Sequence, residues 1–507
     1  MIGLKQSAVN RQAGWGIASA GGGVHNASLQ MRVCCRTMLI ATAACCAAWP
    51  SAPEGRASAL ECAGVQCFQK AAGTAALHDA AAKSGPRLVC AAVGSCSPVE
   101  GAGPGKAVVS TGKQFPALKP FDELMEAFVR DNELPGASLA VAKDGRLVYA
   151  RGFGYADVEQ QQPVQPHSLF RIASISKPFT AVATLQLVEQ GRLRLDTPVF
   201  DLLPHKPHLA KGASVDPRLG QVTIAHLLRH QGGWDRKETI DPLFHAIEIA
   251  TVLGKPPPAT QDDVIRFMMG WQLDFDPGKR YVYSNLGYCL LGRVIEQVTG
   301  RRYGDYMVND FLKPLGIESM RLGKTLLRDR AQNEVNYYPV GDRLGIAVTG
   351  EAIGAKVLWP YGAWSIESFD SFGGWIASAP DLVRFGSAVD RYSQSGILKK
   401  KTVEAMIERP AKGHFGNDEE GKPDATHYGC GWSVRPMKNG TTNRWHTGSL
   451  SGTSTILVLR HDGLCWAVLF NTNLTADKKK PSSKIDPLVH KAADAVTAWP
   501  SHDLFAD

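Results

Sequence analysis

The sequence predicts an α+β fold: an antiparallel sheet built from both ends of the folded chain, flanked by helices. Two hairpins and the pattern between them carry this reading. Apolar runs at 137–142 and 146–151 flank Lys143-Asp144-Gly145. Runs at 454–460 and 464–471 flank His461-Asp462-Gly463. Asp-Gly between two short apolar runs marks a hairpin, because its backbone reaches the positive φ that a tight turn needs. Between the hairpins, apolar residues recur at helical spacing and the segments stop at glycines, so the middle is largely helical. Strands at both ends around a helical middle define the class.

In chain order, residues 1–114 read as a leader and low-complexity extension, rich in Ala, Gly, Ser and Cys and poor in acids. Residues 31–59 resemble an export signal: Arg32 and Arg36, an apolar stretch over 38–49, then Ala57-Ser58-Ala59. On that reading Met31 or Met38 is the true start. The expected location is secreted or periplasmic, with an organelle transit peptide as the alternative. Thr42-Ala43-Ala44-Cys45 loosely matches a lipoprotein box, so a membrane association is expected only through lipid on Cys45. The folded domain is expected over 115–507. It opens with an amphipathic helix on Phe121, Leu124, Met125 and Phe128, entered through Pro120. Helices follow at 223–230, stopped by Gly232-Gly233, at 261–269, and at 286–297 before Gly300. Residues 206–220, 236–258 and 324–361 are less regular and read as insertions over a cleft. A closing helix carries Val489, Ala492, Ala493, Val496 and Trp499.

Composition excludes some functions. The 507 residues are 44% hydrophobic and 21% charged with a net charge of +8. No dense basic run interleaved with aromatics appears, which argues against nucleic acid. Eight cysteines lie in the first hundred residues; only Cys289, Cys430 and Cys465 follow, in apolar contexts that predict buried thiols. Neither set has zinc-ligand spacing, so no metal is expected.

The chemistry centres on residues 170–191. Ser174 and Lys177 form a Ser-x-x-Lys tetrad ahead of Phe179, Val182, Leu185 and Val188, which with Ile175 recur at helical spacing. Positions three apart share a helix face, so the amine reaches the hydroxyl. A serine hydroxyl is a weak nucleophile until a base takes its proton, and a lysine serves when burial lowers its pKa. A second match at Ser110 and Lys113 contains Gly112 and precedes Phe115-Pro116, and reads as linker. Tyr283-Ser284-Asn285 lies between a turn at Asp276-Pro277-Gly278 and a helix. There a phenol can shuttle protons if cations lower its pKa, and an amide can orient the lysine or a substrate carbonyl. His446-Thr447-Gly448-Ser449 precedes the second hairpin, where a small residue lets a substrate backbone lie against a strand and a strand N–H can bind an oxyanion. Other prominent residues read as structural: Asp196 as a turn cap, Arg171 in a local salt bridge, and Trp234, Trp364 and Trp375 in packing. Tyr337 and Tyr338 are candidates for the cleft wall.

Taken in order, Ser-x-x-Lys, Tyr-x-Asn and His-Thr-Gly closely resemble the serine β-lactamase-like family. That family includes class C β-lactamases, penicillin-binding DD-peptidases, family VIII esterases and mitochondrial β-lactamase-like serine proteases. The likeness covers roughly 121–499, with supporting stretches at 147–155, 226–233 and 373–385. It implies a β-lactamase/transpeptidase-like fold with an all-helical subdomain and the site between the two parts. It also implies an acyl-enzyme on Ser174, with Lys177 and Tyr283 as the proton-transfer pair and Asn285 bonded to Lys177 or substrate. Further, it implies an oxyanion hole from the backbone N–H groups of Ser174 and Ser449, substrate binding along Thr447 and Gly448, and no metal or organic cofactor. The departure is His446, which stands where penicillin-recognising branches carry a lysine. A histidine is mostly neutral at pH 7, so the expectation moves towards esters or amides without an obligatory carboxylate. DD-peptidase or β-lactamase activity on cell-wall peptides or β-lactams, and a non-catalytic scaffold on the same fold, are the alternatives.

Overall fold

The computed structural model describes residues 107–341, 343–410 and 426–506. The expected signal segment and Cys45 lie outside them. Strand β1 (Ser110–Thr111) comes first and pairs antiparallel with Phe153 and Gly152. This corrects the linker reading of the Ser110 tetrad. Arg151, buried, donates from Nε to Thr111 O (3.1 Å) and from Nη2 to Ser110 Oγ (2.8 Å), and pairs with Asp122 at 2.6 Å. A side chain far along the sequence thus holds the stretch, which local pattern cannot reveal.

Helix α1 (Lys119–Asp131) follows, with Pro120 in its first turn, where the missing N–H costs little. Strands β2 (Gly136–Lys143) and β3 (Arg146–Asp157) form the first predicted hairpin. The short β4 (Gln162–Pro163) folds back on β3, and β5 (Phe170–Arg171) leads into α2 (Ser176–Glu189). The middle holds α3 (Ile224–Leu228), α4 (Ala246–Val252), α5 (Gln261–Met268) and α6 (Asn285–Thr299). After β6 (Arg321–Leu322), a separate hairpin, β7 (Leu344–Ile346) and β8 (Lys356–Leu358), occupies the irregular stretch. Then come β9 (Trp375–Ala377) and α7 (Ala379–Asp390), whose entry is a capping box on Ser378 and Asp381. The chain ends with β10 (His427–Tyr428), β11 (Ser433–Pro436), β12 (Thr442–Leu450), β13 (Thr453–Leu459), β14 (Leu464–Phe470) and α8 (Pro481–Asp494).

The main sheet has nine strands in the order β1-β3-β2-β14-β13-β12-β11-β10, with β4 on β3. The two hairpins meet at β2 and β14, where Leu139 faces Val468 and Val141 faces Trp466. Side chains alternate across the pleat. Leu464, Trp466, Val468 and Phe470 pack under α1 and α8, while Cys465, Ala467 and Leu469 join the larger core with α2 and α7. Helix α8 stops at Asp494, so Val496 and Trp499 reach the same core from beyond its end. Helix α2 is buried nearly all round, since Ala181, Ala183 and Leu187 are covered as well as the predicted stripe. It is therefore a central helix, not an amphipathic one. Among the described residues, the thiols of Cys289, Cys430 and Cys465 are free and buried as expected.

The sheet packs against the segment that carries Ser174, most closely at one glycine. A Cβ on Gly448 would lie 2.0 Å from the Ile172 carbonyl oxygen and 2.4 Å from Thr455 Oγ1. Thr455 Oγ1 donates to Ile172 O (3.1 Å) and Thr453 Oγ1 to Arg171 O (2.9 Å), locking β13 to the chain that enters α2. Gly448→Ala is expected to destabilise the protein by about 1–3 kcal/mol in urea unfolding. Gly220→Ala, with nothing within 4 Å, should stay within about 0.5 kcal/mol.

Candidate active site

Strand β5 pairs with β9 through Phe170 with Ala377 and Arg171 with Ile376, and the Ile172 N–H donates to Trp375 O (3.0 Å). The chain then turns through a 3₁₀ segment, Ala173–Ile175, before α2 begins. Ala173 has φ +47°, a conformation that costs a non-glycine residue about 1–3 kcal/mol and persists only where neighbours impose it. Ser176 Oγ donates to Ala173 O (2.7 Å) and fixes the turn. Ser174 sits at its centre and lines a cleft of about 790 Å³.

Lys177, one turn on, is fully buried. Its Nζ lies 3.2 Å from Ser174 Oγ, 2.8 Å from Asn285 Oδ1 and 2.9 Å from Phe372 O. All three partners are neutral oxygens. Burial holds the amine well below its ordinary 10.5; Asp241 opposes this and Arg236 adds to it. The two shorter contacts, to Asn285 and Phe372, fix the amine in place with Ser174 Oγ as its third neighbour. Asn285, the first residue of α6, gives its Nδ2 to Asp241 Oδ2 (2.7 Å), which turns its carbonyl oxygen towards Lys177.

Tyr283 lies on the same cleft, its ring centroid 4.7 Å from Lys177 Nζ. The expectation that cations depress this phenol is reversed. Burial pushes it up, against a hydrogen bond with Ser174 and the charge of Arg236, so it stays protonated at neutral pH. His446 is on β12 itself, not merely beside a strand. It is buried, its Nδ1 donates to Thr447 O (2.8 Å) and its Nε2 accepts from Tyr428 Oη (3.0 Å). Both nitrogens being used by the neutral ring, burial above all brings its pKa down to about 3. Thr447 and Ser449 line the cleft, whereas Gly448 is turned against Ile172. Its missing side chain makes room for the protein's own backbone at Ile172. Tyr337 and Tyr338 line a separate cavity of about 320 Å³. Among the described residues Arg171 lacks the local salt bridge expected: its guanidinium donates to Lys324 O (2.7 Å) and Pro360 O (2.5 Å), and it only approaches Glu334, distant in sequence, at 3.8 Å. A larger hollow of about 1290 Å³, beside Arg266, Arg293 and Asp370, contains none of the motif residues.

Several residues of the site carry no sequence signal. Asp241 comes from the irregular stretch before α4, and Tyr428 from β10. His230, at the end of the segment predicted as a helix, has φ +57° and accepts from the Ser284 N–H at Nδ1 (3.2 Å). Its ring lies 4.3 Å from that of Tyr283 and 4.6 Å from that of Tyr428, and burial keeps it neutral. Among the described residues no cluster of side chains suits a metal ion.

Such a site between a sheet and a helical part defines a class, and the comparisons agree. The Beta-lactamase family model matches residues 121–486. The chain belongs to that family. It is similar to Protein flp of Staphylococcus aureus (strain COL), at 25% identity over 338 residues. That match covers 67% of this chain and 59% of the relative, so the chain spans under two thirds of the relative's length. Penicillin-binding protein 4* of Bacillus subtilis (strain 168) is 24% identical over 401 residues, 76% of this chain and 77% of that protein. The structure of D-amino acid amidase from Ochrobactrum anthropi SV3, complexed with L-phenylalanine amide, shares the fold. Its TM-score is 0.56 at 21% identity, over 75% of this chain and 99% of that one.

His446 and His230 are neutral in the folded protein but titrate near 6.5 when unfolded. Below that pH the unfolded chain binds protons that the native state refuses, so stability rises with pH there and falls on acidification. His446→Gln is expected to lower the pH slope of the unfolding free energy by about one proton between pH 6 and 4.5. Urea melts across that range measure it.

Proposed function

We propose that this chain is a serine hydrolase that cleaves an ester or amide through an acyl-enzyme on Ser174. The observation that carries the reading is the fully buried Lys177 amine, held by Asn285 and Phe372 with its remaining valence towards Ser174. The Ser174 proton passes to Nζ as Oγ attacks the carbonyl carbon. The backbone N–H groups of Ser174 and Ser449 receive the negative charge that develops on the carbonyl oxygen. As the tetrahedral intermediate collapses, the Tyr283 phenol protonates the departing alkoxide or amine and is reprotonated from Lys177. Water then adds to the acyl carbon by the same relay in reverse, and Ser174 is released as the hydroxyl.

His446 supports esters and amides over β-lactams as the main substrates. It is neutral, so it supplies no fixed cation beside the nucleophile. A second reading, peptidase or β-lactam-type activity, draws on the name of the similar Bacillus penicillin-binding protein, and amide cleavage on that of the similar amidase. The arginine-bearing leader ending in Ala57-Ser58-Ala59 supports a secreted or periplasmic enzyme, with organelle import as the alternative.

A fluorophosphonate is expected to label Ser174, read by mass spectrometry of the peptide, and Ser174→Ala to take no label. Lys177→Ala should slow hydrolysis of p-nitrophenyl esters by about 10²–10⁴-fold. Nitrocefin should turn over more slowly than short acyl esters. Undiminished labelling of Ser174→Ala would sink the assignment.

A further inference from the structure

The wall that holds the nucleophile carries no fixed positive charge: His446 is neutral and burial disfavours the charged form of Lys177. Positive charge is concentrated elsewhere on the cleft lining, which has Arg236, Lys237, Arg280 and Lys480 against Asp235 and Glu238. Arg280 is spent, its Nη2 lying 3.0 Å from Asp235 Oδ2. Lys237 and Lys480 are exposed and have no ion-pair partner among the described residues. Arg236 is placed differently. Its guanidinium carbon stands 5.6 Å from the Tyr283 ring centroid, next to the reacting groups. Its Nη1 only approaches Asp241 Oδ2, at 3.8 Å, beyond hydrogen-bond reach, and the side chain is 49% exposed. Asp241 Oδ2 is already taken by Asn285. The guanidinium therefore keeps a planar fork of unspent donors at the mouth of the cleft, in a geometry that matches a carboxylate.

Resting on the hydrolase reading, we propose that Arg236 is the specificity-determining cation of this cleft and selects substrates whose acyl group carries a carboxylate. The fixed charge that His446 does not supply comes from the loop between α3 and α4 instead. Lys237 and Lys480 raise the local concentration of such anions without fixing their orientation. This revises the expectation that losing the lysine of the third motif frees the site from acidic substrates: the anchor has changed walls. Phe244, Phe369 and Leu450 on the same lining supply apolar surface for the chain that joins carboxylate to carbonyl.

The test is a matched pair of activated esters, mono-p-nitrophenyl glutarate and p-nitrophenyl valerate, assayed with the full chain. The wild type is expected to favour the anionic ester in kcat/KM by about ten- to a hundredfold, the worth of one charged hydrogen-bonded contact. The preference should shrink as salt is raised. Arg236→Gln should reduce the ratio of the two kcat/KM values at least about tenfold, chiefly through KM, and Arg236→Lys should restore part of it. A ratio near one in the wild type overturns the proposal. So does an equal loss on both esters in Arg236→Gln, which would assign Arg236 to the Tyr283 relay alone. If neither ester turns over and no fluorophosphonate adduct forms on Ser174, the hydrolase reading itself fails, an outcome distinct from loss of preference alone.

Discussion

The site is organised around a buried amine that has no carboxylate of its own. Lys177 is fully buried among the neutral oxygens of Ser174, Asn285 and Phe372. Taking an ammonium out of water without a charged partner is expensive, and burial therefore holds the amine well below its ordinary pKa. The nearest acid, Asp241, stands one side chain away behind Asn285, and its own burial pushes its carboxyl up. A direct Asp–Lys pair would hold the amine charged and useless as a base. The interposed amide passes on orientation while keeping Asp241 out of direct contact with the amine.

The rest of the fold reads as the support for that arrangement. Ser174 comes from a strained turn between a small sheet and α2, Asn285 from the start of α6, and His446 from β12. None of these elements is near another in sequence. They meet because β2 pairs with β14 at the centre of the main sheet, and because β12 and β13 are tied to residues 171–172 through Gly448, Thr453 and Thr455. The helical middle contributes Asp241, His230 and Arg236 from loops rather than from its helices.

What the sequence discloses follows the range of the interactions involved. The hairpins, the three motifs and the buried thiols are local signals, and each reappears close to its expected place. The Ser110 stretch reads as linker because what fixes it is Arg151, forty residues on. The Tyr283 phenol is misjudged because its pKa depends on burial, not on neighbouring sequence. Gly448 is small for a backbone that arrives from residue 172. Asp241, Tyr428 and Arg236 carry no local pattern at all, and only the folded cleft brings them together. The same blindness explains why a histidine in the third motif suggests the loss of a cation, when a guanidinium stands on the opposite loop.

The central claim is that burial depresses Lys177 so that it serves as the base for Ser174. The pH dependence of the second-order rate of fluorophosphonate labelling at Ser174 tests it most directly, since that rate follows the unprotonated fraction of whatever group accepts the serine proton. The account predicts an acid limb well below 10.5 that disappears with the residual slow reaction of Lys177→Ala. A limb centred near 10, or one that survives unchanged in Lys177→Ala, would contradict it.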